Sequence, residues 1–105
     1  MRIKVYADTI CGWCYIGHSR LLKATGTFKN IIFDFKHAPF QLNPDMPKEG
    51  ISRLDYLKYK FGSKELAQPL YDNMNNQATK ENLEFNLGNI QVTPNTKFSH
   101  ILTKL

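Results

Sequence analysis

The chain holds two cysteines, Cys11 and Cys14, within the run Asp8-Thr9-Ile10-Cys11-Gly12-Trp13-Cys14-Tyr15-Ile16-Gly17. Two thiols at Cys-x-x-Cys spacing, placed where a strand hands over to a helix, suit thiol–disulfide exchange. The thiolate is the attacking species, and an unperturbed cysteine, with a pKa of about 8.5, is mostly protonated at neutral pH. The first turn of a helix presents unpaired backbone N–H groups and the positive end of the helix dipole, and both favour an anion. Cys11 falls at that turn and is expected to be a nucleophile whose pKa is lowered there. Cys14, one turn further on, is the expected resolving thiol. It closes a disulfide once Cys11 has formed a mixed disulfide with a substrate.

Other readings of these residues exist. Free cysteines are often inert core residues. Cys11, Cys14 and His18 fall at i, i+3 and i+7 on one helical face, which would converge three metal ligands. A structural zinc site normally takes four, and no further cysteine is present. His37 and His100 lie too far along the chain to count as ligands from spacing, so no metal is assigned. Trp13 shields the disulfide or contacts substrate, or else packs in the core. Tyr15 and His18 adjoin the active turn; His18 either acts on the thiolate as a cation or faces solvent. Asp8 reads as a helix cap, with proton transfer as its second reading.

The elements that must position these residues follow from periodicity. Ile3, Val5 and Ala7 alternate with Arg2, Lys4 and Tyr6, which predicts a strand over 2–7. Asp8 and Thr9 are good cap types ahead of a helix over about 11–24, and Gly26 fits its end. Ile31, Phe33 and Phe35 mark a second strand over 30–37. Strand, helix and strand form a βαβ unit with parallel strands. Pro39, Pro44 and Pro47 break regular structure over about 38–50. Ser52 is the expected cap of a helix from Arg53 to Phe61, ended by Gly62. Ser63 is the expected cap of another, reaching about Asn82, with Pro69 kinking it or delaying its start. Residues 84–89 read as an ordered loop. Asn95 or Thr96 caps a last helix through His100.

The expected fold class is α/β: a partial βαβ unit over 1–48, then a helical region over 49–105. Two parallel strands alone make a poor sheet. The chain also stops inside an amphipathic pattern, so a piece of a longer protein is expected, with apolar helix faces that favour self-association. An inactive truncated product or an assembly module is the non-enzyme alternative.

Composition narrows the classes. Of 105 residues, 42% are hydrophobic, with seven Phe, five Tyr and one Trp, which suffices for a core and argues against disorder. The net charge is +5, but the lysines are dispersed and form no dense run, so no nucleic-acid partner is expected. No apolar run is long enough to span a bilayer. The chain opens directly on strand-like sequence without a signal-peptide pattern, so cytoplasm is the expected compartment. There a lone Cys-x-x-Cys is more often redox-active than structural.

Three segments occur in a family-like order: Cys11-Gly12-Trp13-Cys14-Tyr15-Ile16-Gly17, the run from Pro39 through Phe40, Gln41, Leu42 and Asn43 to Pro47, and Pro94-Asn95-Thr96 followed by His100. Together they resemble the DsbA-family oxidoreductases, in particular their FrnE-like cytoplasmic branch. The resemblance covers the whole chain. It implies a thioredoxin fold interrupted by a helical insertion, with the chain as an N-terminal fragment of it. It also implies Cys11 and Cys14 as the active pair, Gly12 and Trp13 as the intervening residues that tune them, no cofactor, and a disulfide-containing protein or a small thiol as partner. The branch usually carries proline before the tryptophan of its motif, where this chain has Gly12. The family's later strands and cis-proline loop are absent; Thr93-Pro94 matches the start of the later insertion helix instead. A related alternative is a glutathione-dependent isomerase of the kappa-transferase type, which generally relies on a single Ser or Cys.

Overall fold

The computed structural model describes residues 1–104. It consists of two compact units, Met1–Leu42 joined by the segment from Thr96 onward, and Asn43–Asn95. This packing division differs from the split at residue 48 read from the sequence. The last helix belongs with the first unit, although 53 residues of chain intervene.

The first unit opens on β1 (Arg2–Ala7), in which Ile3, Val5 and Ala7 are half-buried and their neighbours exposed. It continues with helix α1 (Gly12–Gly26) and strand β2 (Asp34–Pro39). β1 and β2 pair in parallel, from Arg2 against Asp34 to Ala7 against Pro39, as the βαβ reading requires. β2 starts later than its alternation suggests because pairing begins only where β1 begins. It ends on Pro39, which has no N–H to donate and is tolerated at a strand end. The face of α1 carrying Ile16 is buried, with that side chain 1% exposed. The unit closes with α4 (Lys97–Thr103).

The second unit holds β3 (Ile51–Ser52), α2 (Arg53–Phe61), α3 (Lys64–Lys80) and β4 (Val92–Thr93), with a short 3-10 turn at Leu87–Asn89. Both helix starts follow the sequence. Ser52 Oγ accepts from Asp55 N at 3.2 Å, and Ser63 Oγ accepts from Leu66 N at 3.1 Å, each satisfying one of the orphan amides at a helix start. Gly62 ends α2 with φ 91°, a conformation that costs glycine little. Pro69 lies inside α3 without ending it. β3 pairs antiparallel with β4. At the turn before β3, Gly50 has φ 76°, and a Cβ there would stand 2.6 Å from the carbonyl oxygen of Thr93. Tyr56, Leu57 and Ala67 form this unit's buried apolar cluster, with Met46, Ile51, Phe61 and Tyr71 packed against it.

Among the described residues every peptide bond is trans, Thr93-Pro94 included. No helix among them is long and apolar enough to cross a membrane.

Candidate active site

Cys11 is the N-cap residue of α1, with extended backbone dihedrals (φ −91°, ψ 109°). The turn leading to it is held by Cys11 N donating to Asp8 O at 3.2 Å, and Cys14 N donates to Cys11 O at 3.1 Å. Gly12 is the first helical residue, Trp13 follows it, and Cys14 completes the first turn. Both cysteines are free thiols and partly buried. Their side chains are close enough to share a hydrogen bond.

The pKa of Cys11 runs opposite to the direction expected from its position. Burial pushes the thiol up, and the Cys14 side chain raises it further by hydrogen bonding and charge. The backbone amides of Cys14 and Trp13 pull it down, which is the helix-terminus effect. That effect loses because the sulfur is partly desolvated and the amides do not close a full capping hydrogen bond on it.

Asp8 is not the cap that its position suggested. Its carboxylate turns away from the helix and is buried, the residue being 3% exposed. Oδ2 accepts from Leu42 N at 2.8 Å, and Oδ1 lies 3.1 Å from His100 Nε2. His100 Nε2 also lies 3.1 Å from Phe40 O. Both neighbours are acceptors, so Nε2 is the nitrogen that carries the hydrogen. A second contact ties α4 to the same turn, with Thr9 Oγ1 and Ser99 Oγ 2.6 Å apart. Ser99 spends its proton on Thr96 O at 2.8 Å, so Thr9 is the donor between the two hydroxyls. Tyr15 is exposed, and its hydroxyl donates to Thr9 O at 3.1 Å. Trp13 is 42% exposed, which places it at the surface beside the thiols and not in the core.

A cavity of about 300 Å³ opens within this unit. Cys14 and Asp8 line it, and so do His18, His37 and His100, the chain's three histidines. His18 does not simply face solvent. Its Nδ1 is buried and has no hydrogen-bond partner, and its ring meets His37 edge-on at 5.3 Å. Among the described residues no three His, Cys, Asp or Glu side chains are placed to hold a metal ion, so Cys11, Cys14 and His18 do not form the three-ligand site that their spacing allowed.

Spacing located Cys11, Cys14, Trp13, Tyr15 and His18, and the structure gathers all five around the start of α1. It missed His37 and His100, which reach the cavity from β2 and α4. His100 stands in the family-like segment that follows Pro94-Asn95-Thr96; no local pattern marks His37.

Comparison with known proteins bears on this geometry. The model of the DsbA-like thioredoxin domain matches residues 2–104. The crystal structure of a probable DsbA oxidoreductase from Streptomyces coelicolor superposes with a TM-score of 0.72 at 35% sequence identity, over 81% of this chain. The chain spans 38% of that protein's length. No curated protein matches it. A thiol pair opening a helix after a parallel strand thus agrees with the family match over nearly the whole sequence, and the chain belongs to the DsbA-like thioredoxin domain family.

Proposed function

We propose that this chain carries the exchange centre of a protein disulfide oxidoreductase of the FrnE-like branch, with Cys11 as nucleophile and Cys14 as resolving thiol. The observation that supports this best is the placement of two free thiols within the first turn of α1. The Cys11 thiolate attacks one sulfur of a substrate disulfide. A mixed disulfide forms and the other substrate sulfur leaves as a thiolate. The Cys14 thiolate then attacks the Cys11 sulfur, closing Cys11–Cys14 and releasing the second substrate thiol. The substrate is reduced by two electrons and the cysteine pair is oxidised; the same steps in reverse oxidise a substrate dithiol. Trp13, exposed beside the thiols, offers an apolar surface to a bound polypeptide. The substrates are disulfide-bearing proteins or small thiol compounds.

Two features of the pair shape its reactivity. Amides at the helix start stabilise the thiolate once formed, while burial resists its formation. Attack by Cys11 therefore quickens as pH rises into the alkaline range. The test is reduction of a protein disulfide driven by a small dithiol. Cys11→Ser abolishes it, and Cys14→Ser stalls it at the mixed disulfide, which is visible as a mass adduct. Undiminished turnover in Cys11→Ser would overturn the reading.

A further inference from the structure

We propose that His18 is the base that takes the proton from Cys14 in the resolving step. This rests on the exchange reading above and extends it to a residue outside the cysteine pair.

Resolution requires Cys14 to become a thiolate, because the thiol does not attack a disulfide. A base for that proton must lie within about 3 Å of the sulfur or be joined to it by one water. Cys14 and His18 stand at i and i+4 on α1, where side chains share a helical face with Cβ atoms about 5–6 Å apart. Both open into the same cavity. Its volume of about 300 Å³ accommodates several waters at roughly 30 Å³ each, room for the bridging one. The second, independent observation is His18 Nδ1, buried and without a partner. Buried polar atoms are nearly always hydrogen-bonded, and an exception calls for an explanation. One ring nitrogen of a neutral imidazole is a proton acceptor, and imidazole is the side chain suited to exchange protons near neutral pH.

Three of the other groups around the cavity are engaged elsewhere. Asp8 and His100 are engaged with each other. His37, on β2, touches the His18 ring edge-on and bears on its charge, as does Lys104 after α4. Tyr15 turns its hydroxyl to Thr9 O. Val5, Ala7 and Ala38 supply an apolar floor, which leaves the proton few alternative acceptors. In the step itself, the proton passes from the Cys14 sulfur to His18, the Cys14 thiolate attacks the Cys11 sulfur, and the Cys11–substrate bond breaks. The departing substrate thiolate then takes a proton from the imidazolium or from solvent.

The experiment uses dithiobis(nitrobenzoate), an aromatic disulfide whose thiolate absorbs in the visible. The reduced protein releases one thionitrobenzoate as Cys11 attacks and a second as Cys14 resolves, and Cys14→Ser shows the first release alone. In His18→Ala, and in the bulkier His18→Gln, the second release slows by about tenfold or more at neutral pH while the first keeps its rate. Added imidazole restores the second release in His18→Ala, a rescue that a packing role would not permit. An unchanged second release in both variants, or a slow one that imidazole does not restore, overturns the assignment. Absence of any first release from the wild-type protein overturns the exchange reading itself, and absence of the second alone removes Cys14 as resolving thiol.

Discussion

The two units are held together by different means. In the second, Tyr56, Leu57 and Ala67 make an apolar cluster, and the helix starts are capped by serines within the same few residues. In the first, the buried set is Ile16 together with Asp8, Thr96 and His100, and its most specific contacts join residues about 90 positions apart. Apolar packing is non-directional and tolerates exchange among side chains of similar volume. A buried carboxylate receiving an amide and an imidazole is directional and tolerates little, since each partner left alone pays its desolvation. The thiol turn thus belongs to the unit whose interior is polar and geometrically strict, as a site that must hold two sulfurs in register requires.

This contrast can be broken in order of effect. Leu57→Ala opens a cavity in the apolar cluster and is expected to cost about 3 kcal/mol of stability. Under conditions where it stays folded, both thionitrobenzoate releases keep their rates; a change in either would mean that the units are not energetically separate. Asp8→Ala leaves the Leu42 amide and His100 Nε2 without their carboxylate and should cost about 2 kcal/mol. Unlike Leu57→Ala, it alters the exchange rates as well, because the turn carrying Cys11 loses its anchor. Urea titration beside stopped-flow release separates the two outcomes. Ser63→Ala removes a capping acceptor and should cost about 1 kcal/mol, with no effect on the thiols.

The smallest effect is a pH dependence. Cys11 has a raised pKa in the folded, reduced chain, so folding favours its protonated form. The stability this contributes is fully present below the ordinary thiol pKa and is lost as pH rises through the raised value. Melts of the reduced protein at increasingly alkaline pH should show this decline, and Cys11→Ser should lack that share of it. An equal decline in the variant would assign the effect to other groups.

Local signals in the sequence determined much of this protein. Alternation of Ile3, Val5 and Ala7 predicted β1, Ser52 and Gly62 bracketed α2, and the Cys-x-x-Cys spacing placed two thiols on one helical turn. These features depend on neighbours a few residues away, so pattern and propensity suffice to read them. The tertiary structure decided what those signals could not carry. Asp8, a good cap by type, spends its carboxylate on Leu42 and His100 instead. The direction of the Cys11 pKa followed from burial overriding the helix terminus, and burial is a property of the packed chain. His18, His37 and His100 come to line one cavity with Cys14 only because β2 pairs with β1 and α4 bonds to the turn before α1. Contacts across such separations are fixed by chain packing, and no spacing rule encodes them.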